Sequence, residues 1–138
     1  MKTQLTLLIY CVLGLSACSS SKQVNMKSAP PTTQPSSGIV GVWSFVRNVG
    51  EPASTDKKTK IILDKHWMFS QADPSTNLTL FHHGGTYLLD GDSYAETIEY
   101  ANASTGGYLG STFKYKINVK GDTMVLTGPY SEVWARVK

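Results

Sequence analysis

The chain has 138 residues, room for one ordinary domain. Thirteen Lys and Arg face ten Asp and Glu, and only 17% of residues are charged, which excludes a disordered polyelectrolyte and a strongly basic nucleic-acid binder. Seven Tyr suit a packed, β-rich domain, and both cysteines, Cys11 and Cys18, lie near the start, so the rest of the chain has no disulfide and no thiolate metal site.

In chain order, Lys2 gives a short positive start, and Leu5 to Leu15 is an apolar run of 11 residues. A bilayer span needs about 20, so residues 1–17 read as a secretory signal. The run ends in Leu15-Ser16-Ala17-Cys18, which resembles a bacterial lipobox. That resemblance implies cleavage before Cys18, diacylglycerol on its thiol and an acyl chain on its new amino group. Two or more chains hold a protein stably on a membrane. The bland alternative is a plain signal peptide with a chance cysteine. Ser19, in place of the Asp that retains many lipoproteins in the inner membrane, leans towards the outer membrane of a bacterial cell envelope. Residues 19–38, with six Ser and three Pro, carry no hydrophobic period. They read as a disordered tether spanning roughly 25 Å root-mean-square.

Residues 39–138 read as nearly all β. Phe113, Tyr115, Ile117 and Val119 alternate with Lys114, Lys116, Asn118 and Lys120, the pattern of a strand with one buried and one wet face. A two-residue turn at Lys120-Gly121 pairs Ile117 with Met124 and Tyr115 with Leu126; Asp90-Gly91 is a second turn signal and pairs Tyr87 with Tyr94. Further strands are expected at Gly41–Asn48, Thr59–Leu63, Trp67–Ala72, Ser93–Tyr100 and Glu132–Val137, with a short one at Asn77–His83. A three-residue loop at 64–66 pairs Leu63 with Trp67 and Ile61 with Phe69. A turn of helix fits at Asn48–Lys57 or Asp73–Asn77. About eight antiparallel strands joined by hairpins favour an up-and-down β-barrel, because closure removes every edge.

Gly41-Val42-Trp43 at the first strand and Trp134-Ala135-Arg136 in the last resemble the lipocalin-like, or calycin, barrels. The resemblance implies that Arg136 packs over Trp43 to close the barrel bottom. Gly84-Gly85-Thr86-Tyr87, Asp90-Gly91-Asp92-Ser93-Tyr94, Glu96-x-Ile98-Glu99-Tyr100, Phe113 to Lys116 and Val133 to Val137 look more specifically like uncharacterised lipocalin-like domains of Bacteroidetes secreted proteins and lipoproteins. Thr97 departs from that group, where a His is expected. The resemblance supplies a fold and no reaction.

On this register the interior holds Trp43, Phe45, Trp67, Phe69, Tyr87, Tyr94, Tyr100, Phe113, Tyr115, Met124, Leu126 and Trp134. An eight-stranded barrel is just wide enough for its own side chains or one small ligand. The aromatics either fill it or wall a cavity for an apolar or amphipathic molecule, with Trp67, Phe69, Tyr87, Tyr94, Glu96 and Tyr115 as the candidate ligand-binding set. Glu96 points inward, where a carboxylate is costly unless paired or protonated. It is a polar anchor, a structural partner, or, with a Tyr, the acid/base group of a small isomerase or hydratase. His82 and His83 point to opposite faces and make a poor chelating pair. No HxH, HExxH, CxxC or GxSxG occurs in the domain, so no metal, cofactor or catalytic set is assigned. Gly84-Gly85 reads as a bend or bulge. Lys57, Lys58, Lys60 and Lys65 read as a solvated edge, with anionic lipid or glycan contact as the sharper reading. The sequence therefore points to an envelope lipoprotein whose barrel binds a small apolar or amphipathic molecule. The alternative is a filled barrel acting as a non-enzymatic protein or glycan interaction module of the outer membrane. Protein partners are unknown and no nucleic acid is expected.

Overall fold

The computed structural model describes residues 38–138; the signal segment, Cys18 and the tether up to residue 37 lie outside the described residues. Eight strands run in order: β1 (Gly41–Asn48), β2 (Lys57–Ile62), β3 (His66–Ala72), β4 (Thr79–Asp90), β5 (Ser93–Ala101), β6 (Thr112–Lys120), β7 (Thr123–Thr127) and β8 (Glu132–Arg136). Each pairs antiparallel with its neighbours in sequence, and β8 returns to β1. The sheet is a closed up-and-down barrel, and closure leaves no row of unpaired backbone groups. No helix forms at Asn48–Lys57, and Asp73–Asn77 makes the expected single hydrogen-bonded turn, the Asn77 N–H donating to the Asp73 carbonyl at 2.9 Å. A short 3-10 helix, not expected from the sequence, occupies Ala103–Tyr108, capped by Asn102, whose side chain accepts from the Thr105 N–H.

Alternation fills the interior from all sides. Trp43, Ile62, Tyr94, Ile98, Met124, Leu126 and Trp134 are fully buried, with Phe45, Trp67, Tyr115 and Ile117 close behind. Each such burial contributes about 1.5–3 kcal/mol.

Four expectations of register change. The β6–β7 turn is Gly121-Asp122, so Ile117 meets Leu126 and Val119 meets Met124. The β4–β5 turn is likewise Gly91-Asp92, and Tyr87 pairs with Glu96 rather than Tyr94. The cause is the glycine, which takes the first left-handed turn position (φ +57° at Gly121, +59° at Gly91). Both hairpins keep their inner faces, because the slip is one residue on each strand; the Tyr87 and Tyr94 rings still meet at 5.3 Å. At β2–β3, Ile62 pairs with Trp67 and Ile61 with Met68. That slip of one residue, on β2 alone, turns Ile61 and Leu63 outward and Lys60 inward.

The fourth change is at Tyr100. The β4–β5 register shifts at Gly84/Gly85, with Gly84 opposite Tyr100 and Gly85 opposite Ile98. One extra β5 residue, Glu99, flips Tyr100 to the outer face, where it is 45% exposed. Neither glycine could carry a side chain: a Cβ on Gly84 would strike the Tyr100 hydroxyl and the Trp67 carbonyl, and one on Gly85 the Thr97 carbonyl. The segment expected as a separate short strand is thus the first part of one long, bulged β4.

One pole of the barrel is sealed by Arg136. Its guanidinium stands 4.1 Å over the Trp43 ring and donates to the Val40 and Gly38 carbonyls at 2.7 Å each. The Trp43 indole N–H donates to the Ile39 carbonyl. Gly41, at φ +147°, leaves the room that Arg136 Nη1 occupies. The Gly-x-Trp and the terminal Arg are therefore one packed unit.

Candidate functional site: a polar-floored cavity at the open pole

The pole opposite Arg136 is not filled. A cavity of about 220 Å³ lies among the ends of β2 to β6, β8 and the 3-10 helix. Its walls are Phe69, Phe81, Tyr108, Phe113 and Tyr130, and its deeper part is lined by Lys60, Trp67, Glu96 and Tyr115. Gln71, Lys58, His83, Ser104, Thr105 and Glu132 complete the lining. The 3-10 helix brings Ser104, Thr105 and Tyr108 to the mouth. It is fastened there by Thr105, whose hydroxyl lies 2.8 Å from the His82 carbonyl.

The floor is an ion pair. Lys60 Nζ donates to Glu96 Oε1 at 2.6 Å, and their side chains are only 4% and 2% exposed. The inward turn of Glu96 follows from its β5 alternation with Tyr94 and Ile98. The inward turn of Lys60 follows from the β2 register. Around the ammonium lie the rings of Trp67, Trp134 and Tyr115, at 5.1, 5.6 and 5.8 Å. Nearer the mouth, Lys58 Nζ stands 3.9 Å over Phe45 and 3.3 Å from Asp56.

Burial tunes the titratable lining. It pushes the Glu132 carboxyl above its usual range; Lys60, Lys58 and the Trp134 indole N–H, which donates at 3.2 Å, pull the other way. His83 is pushed down to about 4, by burial first, then by the Lys60 charge and by His82. It is neutral at pH 7, stacked on Phe69 at 4.9 Å, and its Nδ1 is buried without a hydrogen-bond partner. Burial, then the Glu96 and Glu132 charges, hold the Tyr115 hydroxyl well above its usual value. It is a neutral phenol with no role as a base.

Of the six expected ligand-binding residues, Trp67, Phe69, Glu96 and Tyr115 line the cavity, and Tyr87 and Tyr94 do not. Tyr94 is fully buried, with its hydroxyl unpartnered. Tyr87 spends its hydroxyl on the Leu63 and Asp64 carbonyls, bracing the β2–β3 loop. The solvated-edge reading of the lysines holds for Lys57 and Lys65, which are exposed, and fails for Lys60, which is 3% exposed. Sequence reasoning missed Lys58, Lys60, His83, Thr105, Tyr108, Tyr130 and Glu132. One signal was present: Lys58, Lys60 and Ile62 share the even positions of β2, the face of its one fully buried isoleucine.

No family model and no curated protein matches the chain. Among solved structures, the fold is similar to that of an uncharacterized protein from Bacteroides eggerthii DSM 20697, with TM-score 0.54 and 14% identity over 71% of this chain and 98% of that one. A likeness at that identity shows the shared fold and nothing about activity.

Proposed function

We propose that the protein is a lipid-anchored lipoprotein of the bacterial cell envelope, held at Cys18, whose lipocalin-like barrel binds one small amphipathic molecule. The observation that carries the binding reading is the 220 Å³ cavity, aromatic on its walls and charged on its floor. An apolar cavity of about 150 Å³ already accepts benzene, whereas drug-sized ligands occupy about 300–1,000 Å³. The ligand is accordingly a single ring or a short chain of about ten heavy atoms. At about 0.3–0.5 kcal/mol per heavy atom such a molecule binds with about 3–5 kcal/mol, a Kd between about 6 mM and about 0.2 mM.

Trp67 lines the cavity, so occupancy is read from tryptophan fluorescence. Titration with indole, phenylacetate and hexanoate should give a saturable change with at least one of them. Gln71→Trp, which places a large ring in the cavity, should abolish it while the circular dichroism spectrum is kept. A wild-type protein blind to all three, or a Gln71→Trp variant that binds as well, refutes the reading. The filled-barrel alternative has less support, since the interior is packed from the Arg136 pole only as far as the Lys60–Glu96 pair.

A further inference from the structure

The two ammonium groups in the cavity are short of acceptors. An ammonium carries three N–H donors. Lys60 has one hydrogen-bonded acceptor among the described residues, Glu96 Oε1; its other close neighbours are the faces of three aromatic rings. Lys58 has Asp56 at 3.3 Å, a carboxylate 43% exposed at the rim, and the Phe45 ring. Buried donors without acceptors are costly, and ring faces attract a cation without accepting a conventional N–H hydrogen bond. The acceptors these lysines lack belong in the space they both border.

Resting on the ligand-binding reading above, we infer that the cavity selects a small monocarboxylate, its carboxylate set between Lys58 and Lys60 and its ring or short chain against Phe69, Phe81 and Phe113. Charge-assisted N–H···O⁻ bonds are the stronger class, and they complete donors that are already desolvated. An amine of the same shape is disfavoured, because it must sit beside two ammonium groups of like charge. A neutral amide or alcohol of the same shape supplies acceptors without charge and so binds less well than the acid. Glu132 also lines the cavity; it accepts from the Trp134 indole N–H at 3.2 Å, and burial pushes its carboxyl above the usual range while Lys58 and Lys60 attract its charge, so a bound carboxylate shares those two lysines with it.

The experiment compares three isosteres at pH 7: phenylacetate, phenylacetamide and 2-phenylethylamine, titrated against the full chain by Trp fluorescence and calorimetry. Phenylacetate should bind roughly tenfold tighter than the amide, with the amine weakest. Lys58→Gln should cut phenylacetate affinity by roughly fivefold and leave the amide nearly unchanged. Lys60→Met/Glu96→Met, which removes the floor pair together so that no lone charge is buried, should cut the preference for the acid roughly twofold and leave the share that Lys58 supplies; its fold is checked by circular dichroism, and an unchanged preference counts against Lys60 as a carboxylate contact. Saturable binding in which the amide or amine equals the acid overturns this inference and leaves the ligand-binding reading standing. No saturable binding by any of the three overturns this inference, and if indole and hexanoate are silent as well it overturns the ligand-binding reading too.

Discussion

The Lys60–Glu96 pair makes a prediction whose size follows from its geometry. At 2.6 Å and an effective dielectric constant of about 20, the attraction is about 6 kcal/mol. Desolvation of two ions costs several kcal/mol each, so the intact pair contributes little net stability. Removing one partner is different, because the survivor keeps its desolvation and loses the attraction. Lys60→Met or Glu96→Met alone should therefore cost about 3–5 kcal/mol. In a domain of this size each kcal/mol moves the melting temperature by about 4–8 °C, so a loss of about 3 kcal/mol lowers it by about 12–24 °C. Lys60→Met/Glu96→Met, with both charges gone, should return to within about 1 kcal/mol of the wild type or exceed it. Urea denaturation of the four proteins gives the coupling energy directly. Single variants that each lose under about 1 kcal/mol would show that the pair is solvated, and the inward turn of β2 would fall with it.

Gly41→Ala should cost about 2–4 kcal/mol in the same denaturation assay, since a Cβ at φ +147° is strained and displaces Arg136 from the Trp43 ring; an unchanged midpoint would sink the account of the sealed pole. His83 titrates near 6.5 when unfolded and about 4 when folded, so the unfolded state binds the extra proton. Its stabilising share is complete above pH 6.5 and is lost as pH falls through 4, while Glu132, shifted upward, works in the opposite sense. His83→Gln should accordingly flatten the fall in melting temperature between pH 6.5 and 4, and an identical slope in the two proteins counts against a buried neutral imidazole. Growth with labelled palmitate should mark the wild-type chain and leave Cys18→Ala unmarked; equal labelling would remove the lipid anchor.

Strand order and barrel closure were legible because the cues were redundant. In β6 the run Phe113 to Lys120 alternates without a break, and its partner β7 offers Met124 and Leu126 on the matching face. A turn placed one residue early does no harm there, since it moves both strands together and preserves the side facing the core. The site was harder to read because its decisive residues break the hydrophobic rule. Ile61, Ile62 and Leu63 look equally suited to the interior, and choosing the odd pair threw Lys60 outward on paper. Ile62 lies inside because it pairs with Trp67, which the β2–β3 loop length alone determines. Tyr100 failed for another reason: a bulge is one extra residue opposite a glycine pair, and alternation from Tyr94 onward carries no mark of where the count changes. Glu96 lies before that point and was read inward, as it lies. Tyr108 ends a 3-10 helix of six residues and Tyr130 lies in the β7–β8 loop, both too short to show a period.

The guanidinium of Arg136 also fixes a direction. By gripping the carbonyls of residues 38 and 40, it pins the place where preceding chain joins the barrel to the plugged pole. The cavity lies at the antipodal side. Within residues 38–138 the entering strand and the cavity mouth therefore stand at opposite ends of the barrel, and a change at the Gly41–Arg136 contact should leave the cavity lining in place.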